Sequence, residues 1–291
     1  MADAKTIKVM FNLDAEPTIP LTLMDIPLRA QAMVGKMSIS GVQPKLSLQL
    51  NKPQAELVPV AEGGECILKP QIQQYPHVPE NENCCMDIAM ALDIDVPPHC
   101  LLPLKDGTLA YIVKRFDRMG KEKIHQENFY QILEKKDKYA GSLEEIGKKL
   151  KEISAVPGLD VQLFFERVVL NFLIGNGDAH FQNYSMTYKN EGVRLAPAYD
   201  LVCTKLVIPS EEDSALTLQG KRNNMTRNDI DAFGDYLEIP QKVRYPTFIG
   251  KLSRMKQLIE ASRLPADFRE KFAEIVDSRY QRLKIEPSHR E

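Results

Sequence analysis

The fold is decided by the stretch Leu170-Asn171-Phe172-Leu173-Ile174-Gly175-Asn176-Gly177-Asp178-Ala179-His180-Phe181-Gln182-Asn183, where an apolar, helix-like run ends in a turn crowded with polar residues. Asp178 and Asn183 are five positions apart, which is the D-x-x-x-x-N spacing of the catalytic Asp and the metal-binding Asn in protein kinases. Asp200 follows after one predicted hairpin. The stretch therefore predicts phosphoryl transfer, with Asp178 as the base and with Asn183 and Asp200 as Mg²⁺ ligands.

The composition is that of a globular protein without a dominant charge. The 291 residues are 43% hydrophobic, which is enough for a substantial core in one large domain or in two lobes. A formal net charge of -2 gives no overall attraction to nucleic acid or to an anionic membrane. The sequence shows neither a signal peptide nor an apolar stretch of transmembrane length. We therefore expect a cytoplasmic protein, in its own cell or, if it is secreted as an effector, in a host cell.

The cysteines favour neither a disulfide framework nor a zinc site, because they are odd in number and form no C-x-x-C pair. We expect reduced, buried thiols without a redox role. The five residues are Cys66, Cys84, Cys85, Cys100 and Cys203.

The first third of the chain is predicted to be rich in strands. Residues 46–50 alternate apolar and polar side chains, and residues 66–69 and 109–116 are short apolar runs. A helix pattern at residues 83–92 lies between the last two runs. The predicted order is therefore strand, helix, strand.

From about residue 124 the apolar pattern becomes helical, and its clearest case is a buried face within residues 161–172. A small hairpin is predicted after it, around a polar turn at residues 189–192. We predict an α+β, bilobal fold with a strand-rich N-lobe at residues 1–116 and a helical C-lobe at residues 117–291. A cleft between two such lobes is a usual place for a ligand.

A kinase also needs a lysine that contacts the phosphates of ATP, and Lys69 is the candidate. It ends the short strand of Ile67-Leu68-Lys69-Pro70, and Glu82 at the start of the following helix would orient it. The alternative is an exposed lysine at the end of a strand, and this fragment alone leaves the choice open.

His180 lies in the catalytic loop but lacks the paired spacing of a zinc ligand. Asn183 and Asp200 instead offer the oxygen ligands that a hard ion prefers. We expect His180 to brace the loop through hydrogen bonds, as a secondary member of the catalytic site.

Five segments along the chain together carry a resemblance to a known family. They are Ser38-Ile39-Ser40-Gly41-Val42-Gln43-Pro44-Lys45, Ile67-Leu68-Lys69-Pro70, Val113-Lys114-Arg115-Phe116-Asp117-Arg118, Gly177-Asp178-Ala179-His180-Phe181-Gln182-Asn183 and Leu195-Ala196-Pro197-Ala198-Tyr199-Asp200-Leu201. They occur in the order found in the HipA family of serine/threonine kinase toxins, so the chain resembles that family, in the short HipT-type form without the N-terminal subdomain. The resemblance implies a protein-kinase-like, HipA-like fold and an ATP- and Mg²⁺-dependent serine/threonine protein kinase.

The resemblance carries the family's roles over to matching positions of this chain. Lys69 resembles the lysine that contacts the ATP phosphates, and Asp178 resembles the catalytic base. Asn183 and Asp200 resemble the magnesium ligands.

The segment after the third predicted strand resembles the hinge that holds the nucleoside. Lys114 and Phe116 would meet adenine through their backbone, and Asp117 would lie near the ribose. The alternative is a solvated, charged loop after an edge strand. Its position between the Lys69 strand and the helical lobe favours the hinge.

The segment that begins at Ser38 resembles the family's phosphate-covering loop. Gly41 would lie against the phosphates of ATP, and Ser38, Ser40 or both would be autophosphorylated. A phosphate adds a charge of about -1.5 to -2, so we expect autophosphorylation to inhibit ATP binding or catalysis by repulsion. The alternative is that the serines belong to an ordinary turn.

The chain departs from the family pattern at Gln182, where the family often has Lys, and this puts substrate preference or rate in doubt. The 37 residues before Ser38 are too few for the extra N-terminal domain of long HipA proteins. We therefore expect a separate, small HipS-like partner and a helix-turn-helix, HipB-like antitoxin, with DNA contacted only through the antitoxin. The resemblance also implies a toxin whose protein substrate is an aminoacyl-tRNA synthetase.

Three other functions stay open. A phosphoinositide-type lipid kinase uses an Asp-x-His-x-x-Asn loop, which residues 178–183 match, but the chain lacks a basic or amphipathic membrane-facing segment. A non-catalytic, kinase-fold regulatory protein would not need the retained acids. A metal-dependent hydrolase would not need the hinge.

Overall fold

The computed structural model describes residues 3–32, 44–120 and 122–285, which form two compact units. The first unit contains the described residues up to Asn83 together with Pro97–Lys123. The second contains Cys84–Val96 and the described residues from Ile124 onward. The lobe boundary between residues 116 and 117 stays a prediction.

An antiparallel sheet of five strands forms the centre of the first unit. Its order across the sheet is β2-β1-β3-β5-β4, and a two-stranded ribbon of β6 and β7 follows it. Lys69, the last residue of β3, pairs with Tyr111 of β5. The strands are β1 (Leu46–Asn51), β2 (Glu56–Pro59), β3 (Cys66–Lys69), β4 (His99–Pro103), β5 (Leu109–Lys114), β6 (Arg118–Met119) and β7 (Glu122–Lys123).

Two short helices precede this sheet, α1 (Ala4–Phe11) and α2 (Asp25–Ala32), and the sequence pattern did not predict them. The side chain of Asp3 caps α1 by accepting a hydrogen bond from the backbone N–H of Thr6 at 3.0 Å. An isolated helix of eight residues is marginal, so burial against the sheet must hold it. Three of its side chains enter the core of this unit: Ile7, Met10 and Phe11.

Helix α3 (Val78–Ala91) begins five residues before the helix pattern predicted it, and the division between the two units falls within it. It carries two of the cysteines. All five cysteines are free and buried, as the sequence predicted.

The second unit is mainly helical, with α6 packed against α5 and α9, and with α8 packed against α9. None of the helices in residues 3–32, 44–120 and 122–285 has the length and apolarity to cross a bilayer. The helices are α4 (Phe129–Ile132), α5 (Leu143–Ile153), α6 (Pro157–Ile174), α7 (Arg227–Tyr236), α8 (Leu252–Ala261) and α9 (Ala266–Leu283).

A three-stranded antiparallel sheet accompanies these helices, with β8 (His125–Asn128), β9 (Ser185–Lys189) and β10 (Gly192–Leu195) in the order β10-β9-β8. Strands β9 and β10 form the predicted hairpin. Strand β8 was not predicted, because its sequence His-Gln-Glu-Asn has no apolar alternation and only pairing with β9 makes it a strand.

Helix α6 carries the predicted apolar face and is buried on almost all sides in its last three turns. It starts with Pro157 and ends at Gly175, whose φ of 73° is left-handed. A Cβ at Gly175 would lie 3.0 Å from Ile275 and 3.2 Å from the sulfur of Cys203, so both conformation and space favour glycine. Together with the strand-rich first unit, this confirms the predicted α+β fold.

Candidate active site

The loop after α6 is fixed to the helix by the amide side chain of Asn176. Its Nδ2 donates to Asn171 Oδ1 at 2.9 Å, and its Oδ1 accepts from the backbone N–H of Asp178 at 3.2 Å. Between them, a Cβ on Gly177 would lie 2.5 Å from the backbone oxygen of Glu212, so this close approach requires glycine. The backbone that presents Asp178 is therefore well determined.

Asp178 is half-buried, and its Oδ1 accepts a hydrogen bond from the Tyr139 hydroxyl at 2.9 Å. Burial, followed by the hydrogen bond to Asp178 and its charge, raises the pKa of Tyr139, so the hydroxyl keeps its proton and stays a donor. No group among the described residues donates to Oδ2 of Asp178. Among the described residues, that oxygen keeps its capacity to accept a hydrogen bond.

A second carboxyl group, Glu211, belongs to the surroundings of Asp178. Burial raises the pKa of Glu211 and the charge of Asp178 adds to the rise, while the hydroxyl of Thr204 and the charge of Lys205 oppose it. Its Oε2 is buried with no hydrogen-bond partner in the described part of the chain.

The structure brings Asn183 and Asp200 together. Asn183 Oδ1 accepts from the backbone N–H of His180 at 3.0 Å, and its Nδ2 lies 3.5 Å from Asp200 Oδ2. Asp200 has a φ of 54°, a left-handed conformation that is uncommon outside glycine and concentrates at functional sites.

These two side chains fit a magnesium ion. Mg²⁺ is commonly held by one or two carboxylates and by substrate phosphates, and the Asp200 carboxylate is a ligand of this kind. Asn183 Oδ1 accepts one hydrogen bond from His180 and keeps a second lone pair that could bind the ion. Within the described ranges, no cluster of three His, Cys, Asp or Glu side chains is arranged to hold a metal. A pair of one carboxylate and one amide oxygen suits an ion that takes its other ligands from substrate and water.

His180 is buried, and both of its ring nitrogens face donors. Nε2 lies 2.8 Å from the Lys138 ammonium, and Nδ1 lies 3.3 Å from the backbone N–H of Gln182. Burial lowers the pKa of His180, and the charge of Lys138 lowers it further, against the opposing charges of two aspartates. These are the contacts of a neutral ring that braces the loop, and the role assigned to His180 stays a prediction.

In the first unit, Lys69 and Glu82 form a buried pair. The Lys69 ammonium donates to Glu82 Oε1 at 2.5 Å, and the two residues are 5% and 2% exposed. The nitrogen also lies 5.6 Å from the centre of the Tyr111 ring. Lys69 is therefore not an exposed lysine at a strand end.

The predicted hinge residues also lie in the first unit. The backbone N–H groups of Lys114 and Arg115 donate to Pro98 and Glu65, both at 2.8 Å. Phe116, the other predicted adenine contact, is half-buried directly after Arg115.

Asp117 is held by two arginines. Arg115 donates two hydrogen bonds to its carboxylate, at 2.8 and 2.7 Å, and Arg118 donates one at 2.6 Å. Burial alone would raise the pKa of Asp117, but these hydrogen bonds and charges hold it below its usual range. A ribose would have to share the carboxylate with both guanidinium groups.

The structure thus groups Asp178, His180, Asn183 and Asp200 in the second unit. It pairs Lys69 with Glu82 in the first. Ser38, Ser40 and Gly41 lie outside the described residues. Sequence reasoning missed three neighbours of the loop, and no local spacing pointed to them: Lys138, Tyr139 and Glu211.

Comparison with known proteins gives consistent matches. The family described as HipA-like C-terminal domain matches residues 37–276. The chain is 32% identical over 233 residues to the protein named "Putative kinase Y4mE" of Sinorhizobium fredii, covering 76% of this chain and 53% of that protein. It is 24% identical over 248 residues to the serine/threonine-protein kinase toxin HipA of Shewanella oneidensis, covering 77% and 56%. The chain spans about half the length of these two relatives.

A solved structure shows the same fold. The complex of HipA, HipB and operator DNA from Shewanella oneidensis contains a chain that superposes with a TM-score of 0.69 at 21% identity, covering 94% of this chain and 74% of that one. The similarity confirms the predicted HipA-like, kinase-type fold. The chain belongs to the HipA-like C-terminal domain family.

Proposed function

We propose that this protein is an ATP-dependent serine/threonine protein kinase that acts as the toxin of a toxin-antitoxin system. The observation that carries the proposal is the geometry around one loop. Asp178 keeps one carboxylate oxygen unengaged by the described residues, and Asn183 lies beside Asp200, which follows the hairpin of β9 and β10. Membership of a family with a relative named as a kinase toxin supports it.

In this proposal each group has one task. Asp178 accepts the proton of the attacking Ser or Thr hydroxyl, whose oxygen bonds to the γ-phosphorus as the bond to the ADP oxygen breaks. Asn183 and Asp200 hold Mg²⁺, which when bound neutralises charge on the phosphates. Lys69, oriented by Glu82, contacts the ATP phosphates.

Incubation of the purified protein with γ-labelled ATP, Mg²⁺ and a cell lysate or phosphoinositide vesicles tests the proposal. Label on protein Ser or Thr supports it, and label on the vesicles instead supports a lipid kinase. No transfer to either acceptor contradicts catalysis and leaves the non-catalytic, regulatory protein. Release of inorganic phosphate without transfer would indicate a hydrolase.

The proposal extends to the substrate and the partners. The solved HipA of Shewanella oneidensis is in complex with HipB and DNA. By analogy we propose a HipB-like antitoxin, a small HipS-like protein and an aminoacyl-tRNA synthetase substrate for this chain, with DNA reached only through the antitoxin. Phosphopeptide mass spectrometry of lysates treated with the wild type and with the Asp178→Asn variant would identify the substrate. An unchanged synthetase would contradict that assignment.

Replacing Lys69 by Met should lower kcat/KM for ATP by roughly 10²-fold, because a positioned charge on the phosphates is removed. The change also leaves Glu82 buried and unpaired, so the unfolding midpoint must be measured beside the kinetics. The double variant Lys69→Met/Glu82→Gln should regain stability without regaining activity. Lys52→Met, at an exposed position of the same unit, is the matched control and should leave kcat/KM unchanged.

Replacing Asp200 by Asn should raise the Mg²⁺ concentration needed for half-maximal activity and lower kcat on the order of 10²-fold, because the charged oxygen ligand is lost. Mg²⁺ titrations of activity measure both effects. Asp277→Asn, which changes an acid on α9, is the control. Equal activity of the wild type with EDTA and with Mg²⁺ would rule out the metal role.

Autophosphorylation of Ser38 or Ser40 is proposed to inhibit the kinase through charge repulsion with ATP. Asp at both positions should weaken ATP affinity about tenfold, or roughly 1.4 kcal/mol, in a direct binding assay. Ala at both positions is the control and should abolish the modification detected by mass spectrometry. The inhibitory role fails if the Asp variant binds ATP and turns over as the wild type does.

A further inference from the structure

The catalytic loop has no permanent cation of its own. Residues 177–183 contain neither Lys nor Arg, and both ring nitrogens of His180 face N–H donors. Phosphoryl transfer is accelerated chiefly by positive charge near the transferring group, so a loop without a cation leaves that task to other groups.

Lys138 brings a cation to this loop from the segment between α4 and α5. Its ammonium lies 2.8 Å from His180 Nε2 and 4.8 Å from the centre of the Tyr139 ring. The hydroxyl of Tyr139 in turn donates to Asp178, the proposed base. The side chain of Tyr139 therefore contacts both the Lys138 ammonium and the carboxylate of Asp178.

Within the described part of the chain, the Lys138 ammonium has no ion-pair partner. No carboxylate among the described residues lies within 4 Å of Lys138 Nζ. The nearby Lys135 differs, because it forms an ion pair with Glu145. Lys138 thus keeps its charge available to an anionic ligand.

The contact between the Lys138 ammonium and His180 can also be broken at little cost. A neutral imidazole has one accepting nitrogen, yet both nitrogens of His180 face donors, Lys138 at Nε2 and the backbone N–H of Gln182 at Nδ1. Only one of the two contacts can be a hydrogen bond to the ring. If Lys138 moves to a phosphate, the Gln182 N–H keeps the remaining acceptor.

We propose that Lys138 is a catalytic residue that contacts the transferring phosphoryl group and supplies the positive charge absent from the loop. This inference rests on the proposed kinase function and extends it. A long, flexible stem with a compact ammonium suits a residue that rests on His180 and turns to the phosphate when ATP is bound.

The test compares Lys138→Met with the wild type in kcat, in KM for ATP and in affinity for ADP, which lacks the transferring group. We expect kcat to fall on the order of 10²-fold while ADP affinity stays within about twofold. Lys138→Arg, which keeps the charge, should recover part of kcat. Lys136→Met is the matched control, since Lys136 is exposed two positions away, and it should behave as the wild type.

Two results would overturn this inference while leaving the kinase proposal intact. In the first, the wild type is active and kcat of Lys138→Met lies within threefold of the wild-type value. In the second, Lys138→Met loses kcat, ADP affinity and unfolding midpoint in parallel. The second pattern would show that Lys138 only braces His180. A wild type that transfers phosphate to no acceptor would overturn the kinase proposal and this inference with it.

Discussion

Asp178→Asn is expected to lower kcat for protein phosphorylation by roughly 10²- to 10⁴-fold, the usual contribution of a general base. The amide is nearly the same size as the carboxylate but cannot take up the hydroxyl proton. Its oxygen still accepts from Tyr139, and the backbone contact of residue 178 to Asn176 does not involve the side chain. The loop should therefore keep its structure while it loses the base.

Nucleotide affinity separates this effect from a folding defect. We expect Asp178→Asn to bind ATP within about threefold of the wild type, because a general base acts on the proton in the transition state rather than on bound ATP. Calorimetry with ATP and single-turnover transfer of label measure the two quantities. Asp267→Asn, an exposed acid in the first turn of α9, is the control for a change of charge. A variant that keeps more than a tenth of wild-type kcat would refute Asp178 as the base.

Arg279→Met is expected to destabilise the second unit by about 3 kcal/mol, the lower end for breaking a buried ion pair from one side. Arg279 donates to Asp213 at 2.9 Å and to the backbone oxygen of Phe172, in the last turn of α6, at 2.7 Å. The variant leaves Asp213 buried with the flanking Arg282 and the N–H of Met225 as its partners, both of which are retained. These remaining contacts keep the expected cost from being larger.

Urea unfolding, followed by circular dichroism, measures this loss of stability. Lys256→Met is the matched control. It removes an exposed ion pair between Lys256 of α8 and Asp277, which lies on α9 as Arg279 does, and it should cost no more than about 1 kcal/mol. If Arg279→Met unfolded at the same urea concentration as Lys256→Met, the contacts of Arg279 with Asp213 and with α6 would not contribute to the stability of the second unit. The double variant Arg279→Met/Asp213→Asn measures the coupling of the two side chains, and we expect its cost to be smaller than the sum of the costs of the two single variants.

Much of the fold was predictable from local patterns. The apolar period of α6, its proline start and its glycine end predicted a long buried helix, and the structure has it at Pro157–Ile174. Strands β1 and β3 were predicted from runs of five and four residues, 46–50 and 66–69. Helix α1 and strand β8 were missed, because eight residues with one short apolar face and four polar residues carry little local signal.

The candidate site was predictable to the extent that its parts are close in sequence. Asp178 and Asn183 were found by spacing, and their proximity follows from a single turn and a short helical segment. Asp200 was placed by the hairpin of β9 and β10. The Tyr139 contact spans 39 positions and the Lys138 contact spans 42, so no periodicity could reveal either one.

The sequence by itself determined which chemical groups are available: a loop with carboxylate, imidazole and amide side chains, a lysine at a strand end and a helix that carries the loop. These follow from residue type and from spacing within a turn, which local backbone geometry makes meaningful. Only the tertiary structure decided that Lys69 is buried against Glu82, that Tyr139 engages Asp178, and that Arg279 reaches Asp213 across 66 positions. Such pairs form only after distant segments pack, because burial removes competing water and so fixes which polar groups must satisfy each other.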